Sequence, residues 1–134
     1  MRIILADDHP LYLDAARQQL TRAFAGAVVL TATLFSEVFD LLRQGPVDIL
    51  LMDYSMPGNS GLAGLKSIIA AAKGAPVLVI SGVAIGKDVE ACIKAGARGF
   101  LPKTLDGKLV VSAISLAVSQ HVDSAGVNLG DQTP

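Results

Sequence analysis

Five short runs of apolar residues punctuate the chain: residues 2–6 (RIILA), 27–34 (AVVLTATL), 49–52 (ILLM), 76–80 (PVLVI) and 99–101 (GFL). Each has the length of a strand, and most lack the in-out alternation of a half-exposed sheet, which is the pattern of strands covered on both faces. Between them apolar residues recur at helical spacing: Leu13, Ala16, Leu20 and Phe24, then Val38, Leu41 and Leu42, then Leu62, Leu65, Ile69 and Ala72. Residues 87–95 and 105–119 complete the set of helices. Pro10 suits the first turn of the first helix, which ends near Gly26; Ser36 is placed to cap the second, and Gly45-Pro46 stops it. Gly74 and Gly96 close the third and fourth. Residues 120–134 (QHVDSAGVNLGDQTP) lose periodicity and turn polar, as linkers do.

Alternating strands and helices predict an α/β fold, a doubly wound, five-stranded parallel sheet with five helices and right-handed crossovers. We take the common flavodoxin-like order, 2-1-3-4-5. The chain of 134 residues fits one domain over residues 1–120, with 121–134 as a polar linker or tail. With 11 basic and 12 acidic residues there is no basic stripe, so no nucleic acid is expected as a partner of this chain alone. No apolar run approaches the roughly 18 residues needed to span a bilayer, so no membrane partner is expected either. A lone cysteine, Cys92, has no partner for an internal disulfide and reads as core filler; a cytoplasmic location is the expectation.

The chosen order brings Asp7, Asp8, Asp53, Ser81 and Lys103 to the carboxyl edge of neighbouring strands, where ligands of such sheets bind. Three carboxylates in one crevice repel unless a cation neutralises them. All the candidate ligands are oxygens, which favours Mg²⁺ over zinc and points to phosphate chemistry. Lys103 offers a point charge and Ser81 a hydroxyl, the groups that hold a phosphoryl group, which leaves Asp53 as nucleophile. His9, beside the acidic pair, reads as a loop residue at a helix start.

Four pieces in order carry a resemblance over about residues 1–120: ILADDHP, DILLMDYSMPGNSGL, PVLVISG and AGARGFLPK. Together they resemble the CheY-like receiver domain of bacterial two-component response regulators, particularly the NarL/LuxR-like subfamily. The resemblance implies phosphorylation of Asp53 by a sensor histidine kinase, with Mg²⁺ bound by Asp7, Asp8, Asp53 and the backbone carbonyl of Ser55. It further implies that Ser81, Phe100 and Lys103 form the switch that remodels the face of the fourth helix, fifth strand and fifth helix. Such a domain is a phospho-acceptor that assists its own phosphorylation and dephosphorylation rather than an enzyme. The output implied is transcription regulation through a DNA-binding domain absent from this chain. Ser81 stands where many members have Thr, Gly82 where Ala is usual, and Thr104 where Pro often follows the lysine. That last departure leaves open whether the Lys103–Thr104 peptide is cis.

Phe100 carries no phenol hydroxyl to reward exposure, so its ring is expected to be buried. Ser55 and Val83 offer no group to orient an attacking water, so self-dephosphorylation is expected to be slow. From Leu109 to Ser119 the last helix has no charge. It therefore offers apolar surface to a homodimer partner or an output domain, through Val110 or Ile114, whichever faces outward. A haloacid-dehalogenase-type phosphatase would need an acid where Ser55 stands, and a flavin module would repel its phosphate with Asp7 and Asp8. The alternative retained is a stand-alone or unphosphorylated receiver-like interaction module.

Overall fold

The computed structural model describes residues 1–82 and 86–125, the side chains of 86–87 and 121–125 excepted. Among the described residues five strands and five helices alternate: β1 (Arg2–Ala6), α1 (Pro10–Ala23), β2 (Val28–Ala32), α2 (Phe35–Arg43), β3 (Ile49–Asp53), α3 (Leu62–Ala71), β4 (Val77–Ser81), α4 (Gly86–Ala95), β5 (Gly99–Pro102) and α5 (Gly107–Ala125). The strands form one parallel sheet in the order β2-β1-β3-β4-β5, as expected. Continuous apolar runs are explained by two cores rather than one. On one face Ile4, Leu50, Met52, Val77 and Val79 meet Val38 of α2, Leu65 and Ile68 of α3 and Cys92 of α4. On the other, Ile3, Leu5, Ile49, Leu51, Leu78 and Ile80 meet Leu13 and Leu20 of α1 and Val110 and Ile114 of α5. Successive strand side chains point to opposite faces, so a strand covered twice has no polar position to spare. Truncating one of them, such as Leu51, to alanine costs about 2–5 kcal/mol.

Several local readings change. Leu34, not Ser36, is the N-cap of α2, and leucine has no oxygen to offer. Glu37, one turn into the helix, reaches back to accept the Thr33 and Leu34 backbone N–H groups at 2.8 and 2.9 Å, and Ser36 is the second helical residue. α5 runs on through Ala125 instead of stopping at Ser119, so the first residues assigned to the tail are helical. Residues 126–134, the rest of that tail, and Val83 lie outside the described residues. On α5 both Val110 and Ile114 face the core, and among the described side chains the exposed large apolar ones are Leu109 and Leu116. The surface suggested by the uncharged sequence therefore consists of these leucines interspersed with serines. Cys92 is fully buried, as read, with the Tyr54 hydroxyl as hydrogen-bond partner; burial pushes its thiol above the ordinary range. No described peptide bond is cis, the Lys103–Thr104 bond included. Among the described residues no helix is long and apolar enough to cross a membrane.

Candidate phosphoryl and metal site

β1 and β3 are adjacent, so their carboxyl ends deliver two acids to the same corner. Asp7 follows β1 directly and is held there by its N–H donating to Ala32 O at 2.9 Å. Its Oδ1 accepts the His9 N–H at 2.9 Å, a tight turn that starts α1 with His9 as N-cap and Pro10 in the first helical turn. Asp53 closes β3, and its Oδ1 accepts the Ser55 N–H at 3.0 Å. Both carboxyls are withdrawn from water, Asp7 at 0% and Asp53 at 1% exposure, while Asp8 is partly exposed. Beyond Asp53 the chain turns at Pro57-Gly58, where Gly58 has φ +89° and the Asn59 N–H donates to Met56 O at 3.0 Å. A positive φ at that point of the turn selects glycine. Asn59 then ties the loop down, its Nδ2 donating to Tyr54 O at 2.6 Å.

Lys103 reaches in from the end of β5, its backbone N–H fixed on Ser81 O at 2.8 Å. Its Nζ lies 2.7 Å from Asp7 Oδ2 and 3.1 Å from Asp53 Oδ2. The ring of Tyr12 covers it, with the ammonium 5.1 Å from the ring centroid. His9 Nδ1 enters the same space, 2.9 Å from Asp7 Oδ1, 3.2 Å from Asp8 Oδ1 and 2.8 Å from Lys103 Nζ. A single ring nitrogen cannot both donate to Asp7 and accept from Lys103, so its two contacts compete for one tautomer. Burial, joined by the charge of Asp7, raises the proton affinity of Asp53 against the lowering by the Ser55 N–H and Lys103, and its pKa sits above the ordinary aspartate value. Burial acts on Asp7 in the same sense, but Lys103 and His9 outweigh it and hold Asp7 below that range. For Lys103 burial disfavours the charge, and the two carboxylates overcome it and raise the pKa.

The residues suit a hard divalent cation. Ligand atoms of Asp7, Asp8, His9 and Asp53 lie within 4.8 Å of one another, and all but one are oxygens. Asp7 Oδ2 has the Lys103 ammonium 2.7 Å away, while Asp8 Oδ1 is buried with no hydrogen-bond partner. A buried oxygen left in that state is costly unless something else takes its lone pairs. Three carboxylates facing the one ammonium of Lys103 gather negative charge that a divalent ion would balance.

The sequence-selected residues are mostly brought together. Asp7, Asp8, Asp53 and Lys103 converge, and Ser55 lines the same pocket with His9, Leu11, Tyr12 and Gly82. Ser81 is buried at the end of β4, paired in register with Pro102. Phe100 is set apart: half-buried, it packs into the core covered by α2, α3 and α4. His9 and Tyr12 were not singled out as site residues. A signal for His9 was its place directly after the acidic pair; Tyr12 would have needed the start of α1 to be placed to the residue.

A sheet that gathers an acidic pair, a strand-end aspartate and a lysine at one corner has a counterpart among known families. The model of the response regulator receiver domain matches residues 3–115, and the chain belongs to that family: it is a receiver domain of the two-component type. It is 33% identical over 122 residues to the glycerol metabolism activator of Pseudomonas putida, covering 90% of this chain and 55% of that protein. To the nitrate/nitrite response regulator NarP of Escherichia coli it is 32% identical over 113 residues, covering 84% and 53%. The crystal structure of a LuxR-family two-component response regulator from an Aurantimonas species matches with a TM-score of 0.80 at 29% identity, covering 89% of this chain and 85% of that one. The chain spans about half the length of these curated relatives.

Proposed function

We propose that Asp53 accepts a phosphoryl group from a phosphohistidine of a sensor histidine kinase. An Asp53 carboxylate oxygen bonds to phosphorus as the bond to the donor imidazole breaks, and the imidazole keeps the electron pair. The observation that carries this reading is the buried Asp53 carboxylate, with Lys103 3.1 Å from Oδ2 and the Ser55 N–H on Oδ1. In that setting Lys103 balances charge on the phosphoryl oxygens, and Ser81, one strand over, supplies a hydroxyl donor. Asp7, Asp8, Asp53 and the Ser55 carbonyl would hold Mg²⁺. Bound there, the ion screens the carboxylates from the incoming anion.

Leu11 at the start of α1 supports docking of a kinase beside the pocket: it lines the mouth and is 89% exposed, a large apolar side chain in water next to the acceptor. For output we read Ser81, Lys103 and Phe100 as the switch. A phosphoryl group draws the first two inward, and the half-buried Phe100 shifts with β5 to alter the α4–β5–α5 face. Leu109 and Leu116 on α5 are the contacts we assign to a second receiver or an output domain. Transcription control through a DNA-binding domain, in the cytoplasm, is the outcome this reading favours.

The test is incubation with acetyl phosphate and Mg²⁺ followed by intact mass measurement. One base-labile phosphoryl adduct is expected on the wild type and none on Asp53→Asn. An adduct that survives in Asp53→Asn, or none in either protein, overturns the reading.

A further inference from the structure

On the α1–α5 side of the sheet a cleft of about 140 Å³ remains unfilled. Its floor is Leu20, Leu51 and Val110, all core side chains. Ala16 leaves the space that a larger residue would take. The amide of Gln19 borders it, folded over Gly107: a Cβ at position 107 would lie 1.9 Å from Gln19 Oε1 and 2.4 Å from Nε2. Glycine at the start of α5 is therefore what lets the amide lie where it does. Tyr12 forms another wall, and its ring also lies 5.1 Å from the ammonium of Lys103, the cation between Asp7 and Asp53.

Water is poorly held in such a place. A well-ordered buried water makes about three hydrogen bonds, and among these walls the side chains of Gln19 and Tyr12 are the polar ones. Displacing loosely held water by apolar atoms is favourable. An enclosed cavity of about 150 Å³ lined by aliphatic and aromatic side chains accepts benzene, and this cleft, though open on one side, offers a comparable volume. We propose that the cleft is a binding site for a one-ring aromatic molecule carrying a single hydroxyl, of which phenol is the simplest. The ring lies on Leu20, Leu51 and Val110, and the hydroxyl meets the Gln19 amide. A ring seated against Tyr12 constrains the surface over which Lys103 lies, so occupancy is linked to the acidic corner. Binding does not depend on the chemistry of Asp53; the linkage alone rests on the metal and phosphoryl reading.

Phenol titrated into the isotope-labelled full chain and followed by amide NMR tests this. Saturable shifts at Leu51, Gly107 and Val110, with millimolar affinity, are expected, and Ala16→Leu, which fills the space, should abolish them. Benzene should bind more weakly than phenol, and Gln19→Leu should erase that difference, a comparison that still decides if Ala16→Leu does not fold. Shifts that fail to saturate, that persist in a folded Ala16→Leu, or that are equal for phenol and benzene in the wild type overturn the site. Adding Mg²⁺ should change the phenol affinity by about twofold or more. An unchanged affinity refutes the linkage, and if the phenol shifts still saturate it does so without touching the site.

Discussion

Lys103 donates to Asp53 Oδ2 at 3.1 Å across fifty positions of sequence, and the same ammonium lies 2.7 Å from Asp7 Oδ2. One side chain from the last strand thus holds together two carboxylates that are almost wholly out of water. Removing it leaves buried charges without a partner, a change that costs about 3 kcal/mol or more. Lys103→Met is expected to lose that much stability in the presence of a chelator, measured by urea unfolding. Saturating Mg²⁺ should narrow the gap to wild type, because it would supply the charge the lysine no longer provides. Equal stabilities in chelator would show that the pair holds nothing.

Gly64, inside α3, is more than a weak helix former. A Cβ there would fall 1.9 Å from Asn59 Oδ1 and 3.2 Å from Phe35 Cζ. Alanine gains about 1 kcal/mol in helix propensity, yet it must push Asn59 off the Tyr54 carbonyl. Gly64→Ala is therefore expected to leave thermal stability nearly unchanged while weakening Mg²⁺ binding several-fold, because the loop bearing Ser55 loses its tie. Isothermal titration with Mg²⁺ measures this; wild-type affinity would contradict it.

Glu37 predicts a pH dependence. Backbone N–H groups of Thr33 and Leu34, with the Thr33 hydroxyl, hold its carboxyl below the ordinary glutamate range. A folded pKa lower than the unfolded one gives stability that is fully present above the unfolded value and vanishes as pH falls through the folded one. The melting temperature of Glu37→Ala should accordingly lie below that of wild type at pH 7. The two should converge as the pH drops below the usual glutamate range. A gap of constant size down to strongly acid pH would mean the carboxylate is not what caps α2.

α5 separates packing from association. Ile114 is fully buried, so Ile114→Glu places an unpaired charge in the core and should lower stability by about 3 kcal/mol or more. Leu116 is 59% exposed, and Leu116→Glu should alter stability by less than about 0.5 kcal/mol while reducing self-association of the phosphorylated or beryllofluoride-treated chain. Sedimentation velocity and thermal melts on both variants distinguish the two. An unchanged sedimentation coefficient distribution for Leu116→Glu removes this leucine from any interface.

The parts of this molecule legible in its sequence are those governed by burial. Apolar runs marked every strand, and the acid after Met52 was recognisable because a doubly covered strand has no other reason to end in a charge. What escaped depends on atoms reaching across the chain. Glu37 caps α2 through its side chain, a role that position along the chain assigns to Ser36. His9 looked like an ordinary helix-start residue because its closeness to Lys103 requires the fold. The sequence places the end of α5 at Ser119, where apolar periodicity fades, whereas the helix runs on to Ala125; periodicity reports contact with a core, which a helix does not need at every turn. On the same helix the uncharged stretch leaves open whether Val110 or Ile114 faces outward. Absence of charge does not say which side of a helix points at the sheet; here both Val110 and Ile114 face inward, while Leu109 and Leu116 are exposed.

The position of β3 has a mechanical consequence. It is flanked by β1 and β4, and all five of its residues are buried, whereas the four residues of β5 at the margin are only partly covered. The amides beneath Asp53 should be among the slowest in the molecule to exchange with deuterated water, and those of β5 much faster. Under the proposed function, an acceptor carried on a fully buried inner strand would yield little to a new charge, and displacement would fall to the looser outer strand, from whose end Lys103 extends.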